Sequence, residues 1–221
     1  VLKEALERDP FNPSIFYELG TAYMNVEQWD DARAALERSL DIEPRQPNAH
    51  INLGNISLQA GDAIGFVSQI LKAMTIDPKD HELPGMLAAF LYRLELVEIG
   101  DDFQQRVLTL APTSEVAYQI ELLRAIKTGD EEASVASARR AIEDNVEERR
   151  GAYTNAVRYL LRHAIEHNNV EQELQWIDQH APGIFDIDAE RVPPKYRMAQ
   201  GAAFDAWYAS LPRNEMLQRL D

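Results

Sequence analysis

Apolar positions along the chain recur three and four residues apart, the spacing that lines one face of a helix. In 29–42, Ala32, Leu36, Ser39 and Leu40 fall together, and in 14–26 so do Phe16, Leu19, Gly20 and Tyr23. The second set returns 34 residues on as His50, Leu53, Gly54 and Ser57. The same interval separates Pro10, Pro44, Pro78 and Pro112, and each closes a similar phrase, such as Ser39-Leu40-Asp41-Ile42-Glu43-Pro44 or Ala73-Met74-Thr75-Ile76-Asp77-Pro78. Proline lacks the amide that the next helical bond requires, so each phrase reads as a helix end, with room for two helices between successive prolines. Glycine inside a helix costs ~1 kcal/mol relative to alanine, which marks Gly20 and Gly54 as places where a second helix comes close.

These residues resemble the tetratricopeptide repeat family, whose units join a large residue, Leu-Gly and Tyr on one helix to Ala and a closing Pro on the next. Unit 11–44 carries Phe16, Leu19-Gly20, Tyr23, Ala32, Leu36 and Pro44. Unit 45–78 keeps Leu53-Gly54, Ala73 and Pro78, with Ser57 for the Tyr and Phe66 for the Ala. Unit 79–112 keeps Leu87 and Pro112, with Ala88 and Leu91 between them. Unit 113–146, around Tyr118, Ala138 and Ala141, reaches Val146 where proline would stand, and 1–10 reads as the second half of an earlier unit. The resemblance implies an all-α fold, a right-handed solenoid of antiparallel helix pairs with about a dozen helices.

From 147 to 221 the helices continue without strict spacing. Segments 151–167 and 170–181 read as another pair, turning at Asn168-Asn169 and stopping at Pro182-Gly183. A loop over Phe185 to Val192 follows, then a helix over 195–210 after Pro193-Pro194 and a short last one from Asn214. Pro182 lies 70 residues after Pro112, two more than two periods, so the register slips. Apolar Leu2, Ala5 and Leu6 at one end, and Met216, Leu217 and Leu220 at the other, face no partner helix of their own. The chain, which starts at Val1, is therefore expected to be part of a longer helical protein and to self-associate through its uncapped ends.

Charge narrows the partners. A net charge of −15 over 221 residues repels phosphate backbones and argues against nucleic acid. No apolar run approaches the ~18 residues that span a bilayer, so no direct membrane insertion is expected. The absence of cysteine excludes disulfides and thiolate chemistry, and fits a bacterial cytoplasm or periplasm equally.

In the resembled family the first helix of each pair lines a concave groove that holds a peptide or a partner helix. Carried over, that face comprises Ser14, Tyr17, Thr21, Met24 and Asn25, then Asn48, Ile51, Asn55, Leu58 and Gln59. Glu82, Ala89, Tyr92 and Arg93 follow, then Val116, Gln119, Leu123, Ile126 and Lys127. The polar and aromatic members are the candidate partner-binding residues: Tyr17, Thr21, Asn25, Asn48, Asn55, Gln59, Tyr92, Arg93, Gln119 and Lys127. Carboxamides among them are suited to peptide backbones, because each offers both donor and acceptor. A clamp for a terminal carboxylate, known in some family members, is not expected. Asn52 and Asn55 are present, but Tyr17, Glu82 and Met86 stand where basic residues belong.

His163-Ala164-Ile165-Glu166-His167 places two imidazoles on one helix face, as in H-x-x-E-H zinc sites. Its candidate third ligands, Glu171, Glu173 and Glu190, lie too near in sequence or in loops, so neither metal nor cofactor is expected. Arg139, Arg140, Arg149, Arg150, Arg158 and Arg162 are the one basic concentration, and salt-bridged structural roles outweigh an anion site. With no phosphate-cradling glycine loop and no nucleophile elbow, the chain reads as a non-enzymatic scaffold that binds protein. A regulatory or substrate-presenting module beside a catalytic domain outside these residues, and a solenoid that stacks on itself, are the alternatives.

Overall fold

A computed structural model describes residues 8–144 and 150–180, apart from the side chains of 150–154 and of Asp178. The expectations for Val146, for the Pro182-Gly183 stop, for the 185–192 loop, for helices 195–210 and 214–221, and for most of 1–10 lie outside the described residues.

The described residues form an all-α structure of antiparallel helix pairs. Its helices are α1 (Pro13–Asn25), α2 (Trp29–Ile42), α3 (Pro47–Gln59), α4 (Ala63–Ile76) and α5 (Glu82–Arg93). They continue as α6 (Val97–Leu110), α7 (Glu115–Thr128), α8 (Glu131–Glu143), α9 (Arg150–His167) and α10 (Val170–His180). Starts at Trp29, Ala63 and Val97 reproduce the 34-residue period, as do those at Pro13 and Pro47. Pro13 and Pro47 stand in first helical turns, where a missing amide costs nothing. Side chains cap other starts: Asn12 accepts from the Ser14 amide at 3.0 Å, Asp62 from Gly65 at 2.8 Å and Asp130 from Ala133 at 2.9 Å.

The turns inside the pairs carry the same period. Glu27, Gly61, Glu95 and Gly129 adopt φ of 58°, 75°, 63° and 70°. Just beyond each, an amide reaches back to a carbonyl of the ended helix: Gln28 to Tyr23 at 2.9 Å, Asp62 to Ser57 at 2.8 Å, Leu96 to Leu91 at 3.0 Å and Asp130 to Ala125 at 3.1 Å. This is the left-handed helix stop in which one residue reverses the chain and satisfies orphan carbonyls. The next such residue is Asn168, with φ of 58° and the Asn169 amide bonded to Ala164 at 3.0 Å. It follows Gly129 by 39 positions because α9 runs 18 residues, against 14 in α7.

The chain divides into two compact units, 1–87 and 88–221. In the first, Ala32 and Leu36 of α2 bury against Ala49, Leu53 and Ile56 of α3, with Tyr17, Tyr23, Met24, Trp29 and Leu40 around them. Ser39, also buried, joins three segments: its hydroxyl donates to the Pro13 carbonyl at 2.7 Å and accepts from Gln46 Nε2 at 3.0 Å. Gln46 Nε2 also lies 3.1 Å from the Ser39 carbonyl and 2.8 Å from that of Glu43, which covers the end of α2. In the second unit one cluster joins Ala88, Tyr92, Val107, Ala117 and Ile120, and a larger one gathers Tyr118, Ile142, Leu160, Leu174 and Ile177 among others.

Gly20 is needed for space. A Cβ there would stand 2.6 Å from Leu36 Cγ, whereas one on Gly54 would meet nothing nearer than Ile70 Cδ1 at 3.3 Å. Gly20→Ala is expected to cost ~1–3 kcal/mol by overpacking, and Gly54→Ala less. Glu95→Gly, which removes a side chain from a left-handed position, is expected to add ~0.5–1 kcal/mol. Urea titrations followed by circular dichroism check all three, and a destabilising Glu95→Gly would show that the turn is not strained.

Candidate functional site

The final residues of the first helices set the character of the surface. Asn25, Gln59 and Arg93 end α1, α3 and α5, and Lys127 stands in the last turn of α7. The four are spaced by the repeat, all are exposed, and all are polar. A side chain at a helix end projects past the hairpin turn, so burial there is not imposed by the partner helix.

In the first unit Asn48 is exposed, while Tyr17, Thr21 and Asn55 are half-buried. The Tyr17 ring packs on the core between α2 and α3, leaving only part of it available to a ligand. Thr21 Oγ1 donates to the Tyr17 carbonyl at 3.1 Å and accepts weakly from Asn52 Nδ2 at 3.4 Å, which ties α1 to α3. Asn25, Asn55 and Gln59 make no side-chain hydrogen bond to any other described residue. In the second unit Arg93 and Lys127 are exposed, and Gln119 is half-buried with its amide on Glu115 at 2.7 Å.

Tyr92 corrects the sequence reading, because it is fully buried and offers nothing to a groove. Its ring lies over Gly100, where an added Cβ would sit 2.5 Å from Cε1. The hydroxyl donates to Asp101 Oδ1 at 2.8 Å and also lies against Gln104 Oε1. Asp101 is gripped from α7 by both ends of a guanidinium, Arg124 Nε at 2.6 Å and Nη2 at 2.8 Å. Leu58 and Ile126, at the equivalent repeat positions, remain 41% and 44% exposed. Tyr92 turns inward because Gly100 leaves space for a ring and half-buried Asp101 supplies a partner for the hydroxyl. Burial first, and the nearby Asp101 second, raise the Tyr92 phenol far above its ordinary value. The Arg124 hydrogen bonds hold the Asp101 carboxyl below its ordinary value.

Two arginines of the basic concentration, Arg139 and Arg140, take salt-bridged positions. Arg139 Nη2 meets the buried Glu173 carboxylate at 2.9 and 3.2 Å, and its guanidinium stands 4.9 Å from the Trp176 ring centre. Arg140 pairs with Glu121 and lies over the Tyr118 ring, whose hydroxyl donates to Asp144.

Glu131 is the residue sequence reasoning missed. It opens α8, and its Oε1 lies 2.8 Å from His163 Nε2 and 3.0 Å from His167 Nε2 near the end of α9. The imidazoles stack with centres 4.2 Å apart. The signal was the hairpin itself: in antiparallel helices the start of one meets the end of the next, so partners of His163 belong near 131 rather than after 167.

The model of the family described as tetratricopeptide repeat matches residues 17–81. Residues 17–81 are tetratricopeptide repeats. The chain's fold is also that of solved tetratricopeptide proteins. PilW, described as a widely conserved type IV pilus biogenesis factor, superposes with a TM-score of 0.60 at 17% identity, over 94% of this chain and 97% of that one. MamA from residue 41 onward, of Desulfovibrio magneticus RS-1, gives 0.59 at 13% identity, over 82% and 97%. YrrB, described as a TPR protein with an unusual peptide-binding site, gives 0.54 at 17% identity, over 81% and 90%. Among curated proteins, no sequence matches the chain. Tetratricopeptide repeats are in general protein–protein interaction modules, typically non-catalytic, and no described helix is long and apolar enough to cross a membrane.

The Asp101 network yields a test with a defined sign. A carboxyl whose folded pKa is depressed stabilises above its unfolded value of about 3.9, and the contribution disappears as pH falls through the lower folded value. Asp101 and Arg124 side chains are 38% and 41% exposed, so solvent screening keeps the contribution modest. Asp101→Asn is expected to cost about 1–2 kcal/mol at pH 7. The deficit should shrink as pH drops below about 4, where the native carboxyl also becomes neutral. Thermal melts of both proteins from pH 3 to 7 check this, and a deficit independent of pH would assign the loss to packing alone.

Proposed function

We propose that the chain binds a protein, as an extended peptide or a partner helix, through the first helices of its pairs. The observation that carries the reading is the exposed polar series Asn25, Gln59, Arg93 and Lys127, at one position of four successive units. Their neighbours Asn48 and Asn55 add carboxamides, and Tyr17 adds a half-buried ring. Three of these carboxamides, on Asn25, Asn55 and Gln59, have no intramolecular duty among the described residues. Each offers a donor and an acceptor to a peptide backbone, whatever the side chains of that peptide. Basic Arg93 and Lys127 stand out in a chain of net charge −15 and favour a ligand with acidic groups near them. The likeness of the fold to YrrB, with its peptide-binding site, supports the same class of ligand.

Peptides selected from a random displayed library on the full chain provide the test. Asn55→Ala with Gln59→Ala is expected to weaken the selected peptides by about tenfold or more, a loss of ~1.4 kcal/mol, as two hydrogen-bonding groups are removed. Glu37→Ala with Lys72→Ala, on exposed positions of the second helices, should leave affinity unchanged. The reverse pattern would place the site on the second-helix face and overturn the assignment.

A further inference from the structure

We propose that Glu131, His163 and His167 form a binding site for a divalent transition metal ion of the zinc type. The spacing of the two histidines had suggested no metal because Glu171 and Glu173 follow them closely. In the folded chain Glu173 is committed to Arg139, and the third ligand comes instead from the neighbouring helix. The oxygen of Glu131 and one nitrogen of each imidazole lie within 4.8 Å of one another.

Two features of the geometry point to a cation at the centre of this triad. The first is spacing. Ligands at about 2.1 Å from a metal stand roughly 3.0 Å apart when they subtend a right angle and about 3.4 Å at the tetrahedral angle. The observed 2.8 and 3.0 Å from Glu131 Oε1 to the two Nε2 atoms are close to the first of these values and are also hydrogen-bond lengths, so the spacing admits an ion as readily as a shared proton. The second is the tautomer. His167 Nδ1 lies 2.9 Å from the His163 carbonyl, which only accepts, so Nδ1 carries a hydrogen. In the neutral ring Nε2 then bears a lone pair, facing a carboxylate oxygen at 3.0 Å. Two lone pairs at that distance repel unless a proton or a metal ion lies between them. A backbone carbonyl holding the remote ring nitrogen is also the usual way a ligating histidine is oriented.

The carbonyl end of α9 carries partial negative charge where His163 and His167 stand, while the amino end of α8 holds Glu131 as a carboxylate. Imidazole and carboxylate together suit zinc and its neighbours, not magnesium or calcium, which prefer all-oxygen sites. Three protein ligands leave coordination positions open. Glu131 and His163 also border a depression of about 600 Å³ with Glu132, Val135, Ala136 and Arg139, which leaves room for water or a further ligand.

Calorimetric titration of the full chain, free of any histidine tag, with zinc chloride is expected to show one saturable ion per chain. His167→Gln and Glu131→Gln, both at exposed positions, should each weaken binding by at least about tenfold. His180→Ala, a histidine stacked on Trp176 outside the triad, should leave it unchanged. Millimolar calcium should not compete. An absence of saturable binding would overturn the proposal and leave the triad as a proton-bridged ion pair. Binding that survives His167→Gln, or that calcium displaces, would overturn it equally by assigning the ion to the acidic surface at large.

Discussion

Reversal of the chain inside each helix pair depends on one residue in the left-handed region, and the positions of nearly everything else follow from it. Glu27, Gly61, Glu95 and Gly129 fix where a first helix stops. The amide just past each then ties the new segment to the old helix, which sets the direction in which the second helix leaves. With that angle set, Leu36 meets Gly20, and the Tyr92 ring meets Gly100. Where the interval grows to 39 at Asn168, the helices remain paired, because the local stop needs no knowledge of the period.

Regularity of the turn coexists with variety in the packing. Repeat positions 32, 66, 100 and 134 hold Ala, Phe, Gly and Ser. In the first unit an alanine there faces a neighbouring helix that carries Tyr23, whereas 34 residues later a buried Phe66 accompanies Ser57, which takes the tyrosine's position. The aromatic has crossed to the other helix while the pair keeps a large residue with a small one. At Gly100 the exchange goes further: the side chain vanishes, and a ring from one position along the first helix fills the gap. Close packing demands a filled volume between the helices and is indifferent to which helix supplies it.

The same indifference explains what was legible in the sequence. Helix 29–42 was read at its observed bounds, because both the apolar spacing and the closing proline are local signals. The turn between helices 151–167 and 170–181 was placed at its observed position from the apolar spacing, even though the period had lapsed, and the end expected at 181 lies outside the described residues. Tyr92 was misplaced because its repeat position is outward-facing elsewhere, and only the paired choice of Gly100 and Asp101 on the next helix turns it in. Glu131 was missed because proximity was judged along the chain, when a hairpin brings together residues at equal distances on either side of its turn. The polar ends of the first helices were legible as a series, yet what they bind is not written in one chain.

Tyr92 on Gly100 and Leu36 on Gly20 also bear on how a chain of similar segments avoids folding incorrectly. Units of one sequence can dock on the wrong neighbour with little loss, a recognised failure of repeat proteins. Here each pair has its own key. A helix bearing the Tyr92 ring finds no room against the helix that begins at Ala63, where Phe66 occupies the place of Gly100. Unequal side chains at one repeat position therefore act as labels, directing each helix to the partner that follows it and leaving mispaired intermediates with either a clash or a hole.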